Sequence, residues 1–292
     1  MYVGRFAPTP SGNLHLGSLT TAVGSYLRAK SLQGKWLLRI EDLDQPRCPA
    51  GASDNILRTL EKYHLHYDGT VLYQSQNIPR YEEIIARLQQ QGFSYYCNCS
   101  RHRLQEIGGI YDGKCGFLPE KTPLTKEKYA IRFRNPGIIT SFKDILLGEL
   151  TPDLSRSGED FILKRRDGII AYNLAVVVDD YDTGVTEVVR GSDLIDTTAA
   201  QLNLASVLNF RFPDYLHLPL ILQKPGIKYS KQNHARRIDD HDIPRNCALA
   251  LECLGLDEPQ ELRREDPGTQ LQWAVSKFQT RLIPKKDIIV TY

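Results

Sequence analysis

Apolar and polar positions switch between two periods over residues 2–91. YVGRF (2–6) reads as a short strand, and APTPSGN (7–13) follows with two prolines and a glycine, the chemistry of a turn. Leu16, Leu19, Val23, Tyr26 and Leu27 then recur at helical spacing, with Gly34 marking the end of that segment. WLLRI (36–40) is a compact apolar run suited to a buried strand. Helical patterns follow at 53–63, opened by Ser53 as N-cap, and at 79–91. This alternation predicts a parallel sheet with helices on both faces, an α/β fold whose ligands gather at the carboxyl ends of the strands.

From about residue 95 the pattern changes. A Cys-rich piece (96–115), the Pro/Lys-rich FLPEKTPLTKEK (117–128) and a β-like YAIRFR (129–134) have the look of an insertion. The α/β pattern resumes near DFILKRRDG (160–168) and continues through NLAVVVDD (173–180), TEVVRG (186–191), a helical stretch near 194–209 and an apolar strand, LHLPLIL (216–222). Helical patterns around 244–255 and 269–279 close the chain. The expected division is 1–95 and 160–235 for two halves of one catalytic domain, 96–159 for the insertion, and 236–292 for a short helical C-terminal region.

With 292 residues the chain can bury a sizeable core. A formal charge of +2 gives no global reason to expect nucleic acid, so any RNA contact must come from local basic patches. Candidates are Arg101 and Arg103 beside the cysteines, and Lys164, Arg165 and Arg166 before a turn; a solvated charged face explains each about as well. No apolar run is long enough to span a bilayer and no secretory signal is visible, so the expected location is cytoplasmic, without a membrane partner. In a reducing compartment, clustered Cys97, Cys99 and Cys115 read as metal ligands rather than a disulfide. Zinc prefers four tetrahedral ligands, and from spacing alone His102 would be the fourth, with Asp112 next. Cys48, Cys247 and Cys253 read as small buried apolar side chains.

Three further clusters carry chemistry. In APTPSGNLHLGS, His15, Gly17 and Ser18 stand at the mouth of the first predicted helix. A glycine there admits a flat ring or phosphate, and unpaired N–H groups attract anions. In Lys228-Tyr229-Ser230-Lys231, two lysines three apart can face one anionic ligand and stabilise developing negative charge. In Arg39-Ile40-Glu41-Asp42-Leu43-Asp44, acidic groups at a strand end suit a substrate ammonium, while Arg5 and Arg190 are candidate carboxylate forks. Taken singly, each has an ordinary structural explanation: a helix start, a solvated loop, a capped strand end.

In this order, however, HLGS, RIEDLD and KYSK resemble a class I aminoacyl-tRNA synthetase. HLGS stands where that class has His-Ile-Gly-His, and KYSK where it has Lys-Met-Ser-Lys. RFAPTPSGNLHLGS and LLRIEDLD resemble its glutamyl branch over roughly residues 1–235. The resemblance implies a Rossmann-like parallel sheet with an inserted zinc-containing subdomain, and ATP-dependent activation of L-glutamate with Mg²⁺ accompanying ATP. Carried over by position, Arg5, Phe6, Ala7, Pro8, Thr9, Glu41, Tyr172 and Arg190 would bind glutamate. His15, Gly17, Ser18, Lys228 and Lys231 would handle ATP, with His15 and Lys231 catalytic. Two positions depart from the signatures: Ser18 replaces the second histidine, and Tyr229 replaces an apolar Met or Leu.

After Lys231 only 61 residues remain (292 − 231), barely the lower limit for an independent domain, so the anticodon-reading domain with which an ordinary glutamyl-tRNA synthetase continues is expected to be missing. Together with the NLAVVVDD segment and the CNC…YDGKC insertion, this resembles the shortened, queuosine-directed group, which attaches glutamate to the wobble base queuosine of tRNA(Asp). That group's pattern of Cys-x-Cys followed by Tyr-x₃-Cys makes Tyr111 the implied fourth zinc ligand, ahead of His102, at a structural site. A monomer is expected. Conventional glutamyl or glutaminyl charging, a nucleotidyltransferase of the same superfold, and a non-catalytic zinc-containing RNA-binding protein are the alternatives. The last leaves the paired ATP motifs unexplained.

Overall fold

The computed structural model describes residues 1–117, 129–228, 238 and 242–290. The first half of the chain runs β1 (Val3–Phe6), α1 (Leu16–Ser31), β2 (Lys35–Ile40), α2 (Ala52–Lys62), β3 (Leu72–Tyr73), α3 (Ile78–Gln90), β4 (Ser94–Cys97), α4 (Arg101–Glu106) and β5 (Ala130–Phe133). Next come β6 (Phe142–Asp144), β7 (Gly148–Leu150), α5 (Leu154–Ser157), β8 (Ile162–Lys164), α6 (Tyr172–Asp182), β9 (Glu187–Gly191), α7 (Ile195–Val207) and β10 (Asp214–Leu218). The remainder is β11 (Ile221–Lys224), β12 (Ile227–Lys228), α8 (Ile243–Cys253), α9 (Pro267–Lys277) and β13 (Ile288–Ile289).

The parallel sheet expected from the alternation is present in two blocks. β1, β2 and β3 form one, all parallel, with β2 central. β6, β10 and β9 form the other, also parallel, with β7 antiparallel at its edge. The blocks meet where β1 lies beside β9: Thr186 N–H donates to the Val3 carbonyl at 2.9 Å, and Val3 N–H to Thr186 Oγ1 at 2.9 Å. Chain order reverses there, and such a switch point opens a crevice beyond the strand ends.

The apolar stripe of α1 packs Leu16, Leu19, Val23 and Leu27 against Trp36, Leu38 and Ile40 of β2. Leu251 of α8 and Leu271 of α9 belong to the same buried cluster, so the C-terminal helices share the core of the first strands. Each such side chain contributes about 1.5–3 kcal/mol when fully buried. A second cluster joins α3, α6 and α7 through Ile84, Leu88, Leu174, Val178 and Leu204. β4, β5 and β8 form a separate antiparallel sheet, so the expected bounds of 96–159 do not match the pairing: β8, at 162–164, joins the inserted sheet, while β6 and β7 pair into the main sheet beside β10.

Several local expectations need correction. The N-cap of α2 is Gly51 at φ 75°, not Ser53, which lies inside the helix: the left-handed entry leaves Ser53 no capping position. Helix α1 ends at Ser31, and it is Gln33 that takes a positive φ of 50°. Gly34 does mark the helix end, its N–H donating to the Ala29 carbonyl at 2.9 Å, and it also makes room, because a Cβ there would meet the Tyr2 carbonyl oxygen at 2.6 Å. LHLPLIL is not one strand. Pro219 has no N–H for a ladder, and the chain passes from β10 to β11, which belong to different sheets. Cys247 and Cys253 are buried as expected, but Cys48 is only half-buried.

Candidate active site and metal centre

A cavity of about 350 Å³ opens at the switch point. Its lining includes Arg5, Phe6, Ala7 and Thr9 from the end of β1, Glu41 after β2, Tyr172 at the start of α6 and Arg190 at the end of β9. Residues as far apart as 5 and 190 therefore reach one space. Pro8 is not among the lining residues; its carbonyl accepts the Glu41 N–H at 3.1 Å and so fixes where β2 delivers that carboxylate. Phe6 lines the cavity while its ring stacks on Trp36 at 6.2 Å.

The charged groups are held by a buried network. Both oxygens of Asp180 accept from Arg5, at 3.1 Å from Nε and 3.4 Å from Nη2, and Arg5 Nη1 donates to the Val189 carbonyl at 3.3 Å. Arg39 Nη1 donates to Asp180 at 2.6 Å and Nη2 to Glu41 Oε1 at 3.3 Å; Nε faces Asp179 at 3.8 Å. Burial would raise the Asp180 carboxyl, but the Arg39 and Arg5 guanidiniums outweigh it and hold the acid below the ordinary range. For Glu41 burial wins and raises it, with Arg39 and Arg5 pulling the other way. A substrate ammonium beside Glu41 would add the opposite charge that favours its ionised form.

Arg190 is anchored differently. Its Nε donates to His217 Nε2 at 3.1 Å, Nη1 to Gln201 at 2.9 Å, and Nη2 to Thr198 Oγ1 at 2.7 Å and the Leu194 carbonyl at 3.3 Å. These bonds use four of the five guanidinium N–H groups and leave one Nη1 hydrogen for a ligand. His217 Nδ1 lies 2.8 Å from Asp144 Oδ2, and both residues are buried. Since Arg190 can only donate, His217 Nε2 must accept, which places the imidazole proton on Nδ1, toward Asp144.

His15 is the N-cap of α1. Its Nδ1 accepts from Ser18 N–H at 3.2 Å, while its own N–H donates to Ser18 Oγ at 2.8 Å. The serine that replaces the second signature histidine thus completes a capping box. One turn on, Thr21 lines the cavity and donates through Oγ1 to the Gly17 carbonyl at 3.0 Å. For the lysine motif, Lys228 is the last residue of β12, while Tyr229, Ser230 and Lys231 lie outside the described residues. Of the acids in EDLD, only Glu41 lines the cavity. Asp42 accepts from Ser75 N–H and Oγ, and Asp44 pairs with Arg165 at 2.9 Å.

In the insertion, the sulfurs of Cys97, Cys99 and Cys115 lie within 4.8 Å of one another, with Cys99 and Cys115 3.5 Å apart. Tetrahedral zinc with Zn–S near 2.3 Å places its sulfurs about 3.8 Å apart, so the donor set fits that ion. Among the described residues no histidine or carboxylate joins the group. His102 is 82% exposed and faces Glu106, and Asp112 pairs with Arg103. Tyr111 is buried beside Cys97 and Cys115, its hydroxyl accepting the Cys115 N–H at 2.8 Å. The Arg132 guanidinium sits 3.7 Å over its ring.

Sequence reasoning missed Asp180, Asp144 and His217. A histidine inside an apolar strand and the second acid of NLAVVVDD were the signals available for them.

Residues 2–255 match the family described as tRNA synthetases class I (E and Q), catalytic domain. The chain is 49% identical over 291 residues to a glutamyl-Q tRNA(Asp) synthetase from Pectobacterium atrosepticum, covering 99% of this chain and 89% of that relative. It is 48% identical over 290 residues to one from Escherichia coli, covering 99% and 92%. Among solved structures, a glutamate-tRNA synthetase from Elizabethkingia anophelis superposes with a TM-score of 0.82 at 23% identity, covering 99% of this chain and 68% of that one.

Proposed function

The chain belongs to the class I tRNA synthetases of the E and Q type, and from that premise we propose that it activates glutamate with ATP and transfers it to queuosine in tRNA(Asp). The observation that carries the proposal is the convergence of Arg5, Glu41, Tyr172 and Arg190 on one cavity. Glutamate carries two carboxylates and one ammonium at neutral pH. Two guanidiniums and one carboxylate, with a phenol beside them, form the complementary set. Glu41 takes the ammonium and the arginines take the carboxylates.

No protein nucleophile is needed. The α-carboxylate oxygen of glutamate attacks the α-phosphate of ATP, a P–O bond breaks, and pyrophosphate leaves with the electron pair. A hydroxyl of the queuosine cyclopentene diol then attacks the glutamyl carbonyl and gives up its proton to the leaving phosphate or solvent, the bond between the acyl carbon and the phosphate oxygen breaks, and AMP departs with the electron pair. Catalysis is positioning and charge stabilisation. The N-terminus of α1, with Gly17 in its first turn, suits phosphate oxygens, and His15 offers an Nε2–H donor because Nδ1 accepts from Ser18. Lys231 is assigned the charge that develops on the phosphates, with Lys228 assisting and Mg²⁺ accompanying ATP.

Cys97, Cys99, Cys115 and Tyr111 would hold one zinc ion. It ties β4 to the turn before Cys115 and gives a loop-rich segment its shape, a structural role. The burial of Tyr111 among the thiols favours it over the solvent-facing His102.

Glutamate-dependent ATP–pyrophosphate exchange tests the activation step. Lys231→Ala should slow it by about a hundredfold or more; exchange near the wild-type rate would overturn the assignment.

A further inference from the structure

A second cavity, of about 490 Å³, lies outside the amino-acid site. One wall is the sheet of the insertion. Tyr96 of β4 pairs with Ile131 of β5, and Ile131 pairs with Lys164 of β8. Directly paired residues share a face, so these three side chains form a row across the sheet. Tyr129 lines the same cavity, and Ile85, Ala86 and Gln89 of α3 form the opposite wall. Both tyrosines are half-buried, and neither hydroxyl has a hydrogen-bond partner among the described residues.

The rim is a run of three cations, Lys164, Arg165 and Arg166. Lys164 is paired with Glu82, and Arg165 with Asp44 and Asp167. Arg166 has no carboxylate among the described residues. Its Nη2 donates to the backbone carbonyls of Asn98 and, at 3.5 Å, Cys99. It therefore keeps a net positive charge at the mouth of an aromatic pocket.

Two links tie the rim of this cavity to the functional parts of the molecule. Through Asp44, Arg165 is tied to the loop that begins at Glu41. Through Asn98 and Cys99, Arg166 is tied to the cysteine cluster. A sheet face with open aromatic rings and a cation at its rim is the physical recipe for an unpaired base and its phosphate.

We propose that this pocket takes an unpaired nucleobase of the RNA substrate, a loop nucleotide near the glutamate acceptor, stacked on Tyr96 and Tyr129 with Arg166 on its phosphate. The inference rests on the RNA-directed reading given above. It also gives the metal centre a use, since the cysteine cluster holds the strand that carries Tyr96.

The test uses the full-length protein and an anticodon stem-loop RNA carrying 2-aminopurine at one loop position at a time. Wild-type protein should quench one position selectively. Tyr96→Ala and Tyr129→Ala should lose that quenching and bind the RNA about tenfold to a hundredfold more weakly. Tyr96→Phe and Tyr129→Phe should bind as wild type, because stacking uses the rings and neither hydroxyl has a partner among the described residues. Arg166→Ala should weaken binding and lower the slope of log affinity against log salt by about one. All variants should retain glutamate-dependent ATP–pyrophosphate exchange, which reports an intact fold and amino-acid site. RNA binding and quenching unchanged in both alanine variants would overturn the pocket alone. A wild-type protein that binds no RNA would overturn it together with the reading on which it rests.

Discussion

His217 Nε2 accepts the Nε–H of Arg190 at 3.1 Å, and the arginine that faces the cavity is thereby oriented by a buried imidazole. Asp144 sets the sense of that bond. Its Oδ1 accepts from the N–H groups of Leu146 and Leu147, and its Oδ2 from the N–H of His217, with the ring Nδ1 2.8 Å away. In Asp144→Asn, an amide NH₂ would confront two donors, and the imidazole proton would move to the nitrogen that must accept from Arg190. Hydrogen bonds to charged groups contribute about 1.5–3 kcal/mol. The KM for glutamate should therefore rise by about tenfold to a hundredfold while the KM for ATP stays put. An unchanged glutamate KM would show that Arg190 does not depend on this orientation.

The same histidine makes stability depend on pH. Burial lowers its pKa, the Asp144 hydrogen bond opposes this, and the Arg190 charge lowers it further; the net direction is down. The unfolded chain then binds the proton more readily than the folded one. The stabilisation is present above the unfolded value near 6.5 and is lost as pH falls through the lower folded value. Urea unfolding midpoints should drop between about pH 7.5 and 5.5 in the wild type and drop less in His217→Gln. Parallel pH profiles for the two proteins would contradict the assignment.

Arg39 stands between three acids, Glu41, Asp179 and Asp180. Arg39→Met leaves them without that cation in a buried setting, a loss of about 3–5 kcal/mol. Denaturant unfolding should show it, and adding Asp180→Asn should recover part of the loss. Strictly additive destabilisation would mean that the two residues do not interact.

Zinc content per chain should fall in Cys115→Ser and stay at wild-type level in His102→Ala. X-ray absorption on the zinc-loaded protein should show three sulfur neighbours and one oxygen. A nitrogen neighbour lost in His102→Ala would return the fourth position to that histidine.

The local alternation of apolar and polar residues carried most of the elements into view, and motif order carried the residues that meet at the cavity. What it could not carry is pairing across the fold. Asp180 meets Arg5 and Arg39 only because the fold brings the end of α6 to side chains of β1 and β2, and no local spacing records that contact. Asp144 and His217 are adjacent because β6 and β10 pair, 73 residues apart in sequence. Ser53 departs from its expected role for a related reason. A serine before an apolar run suggests a cap, but the left-handed Gly51 had already started the helix. Tyr111 emerged from a family pattern, since spacing alone favours His102, and only the fold reveals which of the two is buried with the thiols.

Charging of purified tRNA(Asp), with and without queuosine, by labelled glutamate and ATP tests the central claim most directly. The account predicts label on the queuosine-bearing tRNA(Asp), little on the unmodified tRNA(Asp), and its loss when periodate first cleaves the vicinal diol. Label on tRNA(Glu) in place of queuosine-bearing tRNA(Asp) would contradict it.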